Sequence, residues 1–213
     1  NDHQDSMSQR DAGWIQIYVN NHQEITDTII KSYRLAQTAS IPVMVCFDGY
    51  YLSHTYMPYD IPDQNKVDEF LPAYYYKHTL DPAKPENLNT VTMPAGRPDA
   101  EGVFRNGYMD IRHNHHEEML QAIDSFVEID SDFEHLFGRG GNPLVAGYKC
   151  DDADYVVVIM GSLSNRLKDI ADNLREQGKK IGILSLHMYR PFPDASIRDA
   201  LGNTKGVIVF EKS

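Results

Sequence analysis

The chain has 213 residues, of which 41% are hydrophobic and 24% charged, with a formal net charge of −11 at pH 7. That length allows one large domain or two small ones, and the apolar content excludes a disordered chain. The acidic balance argues against a nucleic-acid-binding role, which relies on clustered Lys and Arg, and no apolar run approaches the ~20 residues of a bilayer span.

Residues Asn1 to Arg10 contain no apolar block, which predicts no signal peptide. Only two cysteines, Cys46 and Cys150, occur. An iron–sulfur cluster takes about four thiolates, more than these two cysteines supply. A reducing, cytoplasmic setting is the default expectation.

In chain order, Trp14 to Val19 reads as a strand. Asn21 is a good N-cap, and Glu24 three residues on completes a capping-box-like pair. The helix runs to about Ala36, with Ile25, Ile29, Tyr33 and Ala36 on one face at helical spacing. Pro42 to Phe47 is a continuous apolar run that suits a buried parallel strand, ending at Asp48-Gly49. A short helix is expected from Asp63 to Leu71. Residues 72 to 103 are broken by prolines and glycines, which marks a linker or crossing segment; a domain boundary is placed near residue 86.

A long helix follows, at about 104–137, on a stripe that includes Tyr108, His115, Met119, Phe126, Ile129 and Phe133. Gly138 stops it. Tyr155 to Met160 reads as a strand and Leu163, Leu167, Ile170 and Leu174 as a helix ending at Gly178. Ile181 to Leu186 is a strand, Asp194 caps a short helix, and Val207 to Phe210 is the last strand. Short connections between alternating strands and helices predict a parallel α/β sheet.

Several motifs invite chemistry and have simpler readings. Met160-Gly161-Ser162 joins a strand to a helix, but Gly161 stands alone where a dinucleotide fingerprint needs three spaced glycines. It reads as a helix start capped by Ser162 or Ser164. Gly138-Arg139-Gly140-Gly141 lacks the Gly-Lys-Ser/Thr of a phosphate loop and reads as a turn. His113, His115 and His116 crowd together with Glu117, yet helical geometry points the three rings apart, so no metal is expected there. Asp48-Gly49 occupies the strand end where open α/β sheets place ligands; a turn or interface residue and a direct contact both remain open. A Gly-Asp-Gly…Asn motif, which anchors the diphosphate and Mg²⁺ in thiamine enzymes, is missing.

Taken together, Asp2-His3-Gln4-Asp5, Gly13-Trp14-Ile15-Gln16, Phe47-Asp48-Gly49-Tyr50, Ser53-His54, Asp81-Pro82, Phe137-Gly138-Arg139, Met160-Gly161-Ser162 and Arg190-Pro191-Phe192-Pro193 resemble the α subunit of the 2-oxoacid:ferredoxin oxidoreductases. The pyruvate group is the nearest match, and a branched-chain 2-oxoacid enzyme is the alternative. The resemblance implies an α/β fold. Residues 1–86 would form the C-terminal half of a thiamine-type pyrimidine-binding domain. Residues 87–213 would form a three-layer domain like the C-terminal domain of transketolases, with a mainly parallel sheet.

The resemblance further implies oxidative decarboxylation of a 2-oxoacid to acyl-CoA and CO₂, with reduction of ferredoxin or flavodoxin. Thiamine diphosphate with Mg²⁺ and the iron–sulfur clusters would be held mainly by other subunits, a thiamine-binding β and iron–sulfur δ and γ, with none on this chain alone. Coenzyme A would be the acyl acceptor. The family's substrate-gripping Arg and Thr and its activating Glu lie upstream of Asp-His-Gln-Asp, so no catalytic residue is expected here. Asp2, His3, Gln4, Asp5, Asp48, Gly49 and His54 are expected near the site. A non-catalytic assembly module and a transketolase-like enzyme are the other readings.

Overall fold

Two sheets and the helices around them organise the chain, which the computed structural model describes over residues 2–74, 97–98, 100–105 and 107–212. In order the first elements are α1 (Gln4–Met7), β1 (Ile15–Tyr18), α2 (His22–Ala39), β2 (Val43–Cys46), α3 (Gln64–Phe70), β3 (Arg97–Pro98), β4 (Phe104–Arg105) and α4 (Tyr108–Phe137). Then follow β5 (Val145–Tyr148), β6 (Tyr155–Ile159), α5 (Leu163–Glu176), β7 (Ile181–Leu186), β8 (Met188–Arg190), α6 (Asp194–Leu201) and β9 (Gly206–Phe210). The boundary expected near residue 86 and the Asp81-Pro82 pair lie outside the described residues.

The first sheet has the order β2-β1-β8, with β1 and β2 parallel and β8 antiparallel to β1. All four residues of β1 are buried, including Gln16, whose amide donates to the Ser6 carbonyl at 2.7 Å. β2 is only half-buried, because it lies at the sheet edge rather than in its middle.

The cap of α2 forms as its sequence indicates. Asn21 accepts the Glu24 amide at 2.9 Å, and Glu24 returns a carboxylate oxygen to the Asn20 amide at 2.7 Å. The face it buries differs from the apolar stripe. Asp27, Thr28, Lys31, Ser32, Leu35 and Ala39 are buried, whereas Ile29 is 40% and Tyr33 64% exposed. The reason is α4, which packs on the charged face: Lys31 reaches Asp130 at 2.7 Å, with its ammonium over the Phe126 and Phe133 rings. The apolar stripe instead borders, with Val43 and Val45, a groove of about 360 Å³ along β2.

α4 begins at Tyr108, with Phe104–Arg105 taken into β4. Its Met119, Ala122, Phe126, Ile129 and Phe133 enter one core with Ile15, Ile17, Leu35 and Met188. Gly138 closes the helix in the left-handed conformation, as its sequence indicates.

The second sheet has the order β5-β7-β6-β9, with β6, β7 and β9 parallel and β5 antiparallel. α5 covers one face through Leu163, Leu167 and Ala171, which meet Val157, Ile159 and Ile183. α6 covers the other through Ile197, Ala200 and Leu201. This is a three-layer α/β unit with a mainly parallel sheet. The α6 start carries no side-chain cap, so the cap expected from Asp194 is absent; that residue pairs with Arg198 at 3.0 Å. β5 and β8 were not visible as strands, because Gly147 breaks the apolar run of β5 and β8 is only three residues long. Among the described residues no helix is long and apolar enough to cross a membrane.

Candidate functional site

Asp48 lies two residues after β2, just ahead of the turn that begins at Gly49, and is 1% exposed. A carboxylate cannot stay charged there without donors, and three distant segments supply them. His3 Nε2 lies 3.0 Å from Oδ1, and the Lys212 ammonium donates to the same oxygen at 2.8 Å. The Ser162 amide, at the start of α5, donates to Oδ2 at 2.5 Å. Burial pushes the Asp48 carboxyl up, but the bonds from His3, Lys212 and Ser162 outweigh it and hold it well below the usual carboxylate range.

This geometry revises the reading of Met160-Gly161-Ser162. The Ser162 side chain makes no cap, and Ser164 Oγ has no hydrogen-bond partner among the described residues. The orphan amide at the start of α5 is satisfied by Asp48, from 114 residues away. Gly161 has φ +78°, and a Cβ there would lie 2.8 Å from Asp48 Oδ2 and 3.0 Å from His3 Nε2. The lone glycine therefore leaves room for the clasp rather than for a phosphate.

The clasp extends behind His3. The His3 amide donates to the Lys212 carbonyl at 2.8 Å, and the His3 ring meets Tyr18 edge-on at 5.0 Å. Ser6 Oγ bridges the His3 carbonyl at 3.0 Å and the Tyr18 hydroxyl at 2.7 Å. Burial raises the Tyr18 hydroxyl despite Ser6, and burial pushes the Cys46 thiol up to about 11. Neither is an activated nucleophile at neutral pH.

Of the residues expected near the site, the structure joins His3 and Asp48 directly. Gln4 lines, with His3, Arg10, Tyr189 and Lys212, an open cavity of about 260 Å³. Asp2 and Asp5 are exposed, and Asp2 accepts the Gln4 amide at 3.3 Å. The Gly49 carbonyl accepts the Tyr51 amide in the turn. His54 is engaged elsewhere, with Ser53 Oγ at 2.7 Å and stacked on Tyr50. Lys212 lies 4.4 Å from the Tyr51 ring centre, which ties that turn back to the clasp. Lys212, Ser6 and Tyr18 were missed. A single lysine after a strand carries no sequence signal for a partner 164 residues away.

The histidine cluster resolves simply. His115 Nε2 lies 2.9 Å from the Gly13 carbonyl, and Gly13, at φ +90°, leaves the space that ring fills. Arg190 faces Asp11 at 3.7 Å within the chain. The Arg139 turn grips Asp27 through two bonds, at 2.8 and 3.0 Å, while the Gly141 amide donates to Asp130.

Comparison with known proteins yields two family matches. Residues 1–131 match the thiamine-diphosphate-binding model of the pyruvate flavodoxin/ferredoxin oxidoreductases, and residues 153–213 match the pyruvate:ferredoxin oxidoreductase core domain II. The chain is 38% identical to the pyruvate synthase subunit PorA of Methanothermobacter thermautotrophicus, across 100% of this chain and 53% of that protein. It is 41% identical to PorA of Pyrococcus abyssi, across 100% and 51%. It is 33% identical to the ketoisovalerate oxidoreductase subunit VorA of Pyrococcus horikoshii, again across 100% and 51%. The chain thus spans about half the length of the curated relatives it matches. A solved 2-oxoglutarate:ferredoxin oxidoreductase from Magnetococcus marinus shares the fold, with a TM-score of 0.53 at 15% identity over 92% of this chain and 34% of that one.

Proposed function

The chain belongs to the pyruvate flavodoxin/ferredoxin oxidoreductase family, and on that premise we propose that it forms part of the α subunit of a thiamine-diphosphate-dependent 2-oxoacid oxidoreductase, with pyruvate as substrate. The observation that carries this reading is the end-to-end similarity, at 37 to 41% identity, to pyruvate synthase subunits. The overall reaction would convert the 2-oxoacid and coenzyme A to acyl-CoA and CO₂. Two electrons would pass singly to ferredoxin or flavodoxin through iron–sulfur clusters on partner subunits. A reducing, cytoplasmic setting is part of the same proposal.

The described residues do not fit the diphosphate and Mg²⁺ end of the cofactor. Both oxygens of Asp48 are already engaged by His3, Lys212 and Ser162. Among the described residues no group of three or more His, Cys, Asp or Glu is arranged to hold a metal ion. That anchoring belongs to a partner subunit in this reading. Two domains remain part of the proposal, a pyrimidine-binding-like first half and a transketolase-C-terminal-like second half.

What these residues do is positional. Asp48 fixes the Asp2-His3-Gln4-Asp5 segment, the Gly49–His54 turn and the start of α5 as one unit, and the seven residues expected near the site ride on that unit. The branched-chain alternative has the VorA similarity in its favour, at lower identity than the pyruvate synthase subunits.

The test is reconstitution of the intact subunit with its thiamine- and cluster-bearing partners, followed by assay of CoA-dependent dye reduction. Faster turnover of pyruvate than of 2-ketoisovalerate is expected. The reverse preference selects the branched-chain reading, and an assembled, cofactor-loaded complex that oxidises neither selects the assembly module.

A further inference from the structure

A single residue, His187, carries the chain from β7 in one sheet to β8 in the other. Its backbone is fastened on both sides. The amide donates to the Leu144 carbonyl at 2.9 Å, just ahead of β5, and the carbonyl accepts the Tyr18 amide of β1 at 2.7 Å.

The ring repeats that pattern. Nδ1 lies 2.9 Å from the Asn142 carbonyl, and Nε2 lies 2.8 Å from Asn20 Nδ2. A carbonyl only accepts, so Nδ1 carries a proton. An amide nitrogen only donates, so Nε2 is bare. The neutral Nδ1–H tautomer alone satisfies both contacts. Asn20 Nδ2 also lies 3.4 Å from Ser185 Oγ, while Asn20 Oδ1 is buried without a hydrogen-bond partner among the described residues. Turning that amide over would set a carbonyl oxygen against Nε2. Only the doubly protonated ring, a donor at both nitrogens, suits that arrangement. Ring charge and amide orientation are thus one variable.

The surroundings decide the resting state. Glu24, on α2, lies 4.0 Å from Nε2 and favours the cation; Lys31 of α2 and Lys168 of α5 oppose it. Arg139 with Asp27, and Lys31 with Asp130, neutralise each other in the same cavity. Burial is the largest effect and lowers the affinity of His187 for a proton. The ring is 14% exposed and lines a cavity of about 290 Å³, which gives protons a way in.

We propose that His187 and Asn20 form a proton-sensitive joint between the two sheets, locked while the ring is neutral and re-set by an amide turn when it gains a proton. The proposal needs no particular enzymatic activity. Through Tyr18 and Ser6 the joint also reaches the His3–Asp48 clasp.

Histidine C2 deuterium exchange, read by peptide mass spectrometry on the full chain between about pH 4 and pH 9, gives the titration midpoint of His187. A midpoint below the ordinary value of about 6.5 is expected. Asn20→Asp supplies an acceptor to Nε2 and should raise that midpoint by at least about one unit, a tenfold gain in proton affinity. His115, on the far contact with Gly13, should not move. Asn20→Ala serves as the second variant if the first does not fold; by removing the opposing donor it should also raise the midpoint. An ordinary or raised midpoint in the parent, or one unmoved by loss of Asn20, overturns the proposal.

Discussion

At the scale of single residues the chain is organised by a carboxylate that cannot be neutral and cannot be alone. Asp48 sits lower in proton affinity when folded than when unfolded. It therefore contributes stability that is complete above the unfolded carboxylate value of about 3.9 and is lost as pH falls through the lower folded value. Asp48→Asn removes the negative charge shared by the buried His3 and the half-buried Lys212 and turns one of its two acceptor oxygens into a donor. It should cost about 3 kcal/mol at neutral pH and flatten the acid limb of a thermal-unfolding series. An unchanged acid limb would show that the clasp does not bear on stability.

Gly161→Ala presses a Cβ against Asp48 at 2.8 Å in a left-handed backbone position. A loss of ~1–3 kcal/mol in urea unfolding is expected. Neither residue announced its partner in the sequence. Asp48 was legible as a strand-end carboxylate and Gly161 as a helix-start glycine. What joins them is tertiary contact, and one-dimensional spacing carries no trace of it.

At the scale of elements, the strands and helices with regular apolar patterns were readable: β1, β2, β6, β7, β9, α4 and α5. The face of α2 was not. The stripe of Ile25, Ile29, Tyr33 and Ala36 invites burial, yet the helix turns Asp27, Thr28 and Lys31 inward because α4 brings Asp130 and the Arg139 turn to meet them. Hydrophobic periodicity cannot foresee a charged face that finds charged partners. The two kinds of ion pair on this helix should differ in worth. Lys31→Met strands Asp130, whose side chain is 2% exposed, and should cost ~3–5 kcal/mol. Arg34→Ala breaks a pair with Asp132 that is 29% and 57% exposed, and should cost less than about 1 kcal/mol. Phe126→Ala, 1% exposed in the first core, should cost ~3–5 kcal/mol through the cavity it leaves. Equal costs for Lys31→Met and Arg34→Ala would contradict the buried-network account.

At the scale of the whole molecule, the family was legible because its motifs are specific in combination, whereas the geometry that links them was not. The structure fastens the segment after Asp2, the turn after Asp48 and the start of α5 into one unit, held by a carboxylate whose two oxygens both already accept hydrogen bonds within the chain. We propose that this unit positions a thiamine site whose diphosphate is anchored on another chain. Calorimetric titration of Mg²⁺–thiamine diphosphate tests it most directly, first into the purified chain and then into its complex with the partner subunits. No saturable binding is expected to the chain alone and saturable binding to the complex; tight, Mg²⁺-dependent binding by the isolated chain would overturn the proposal.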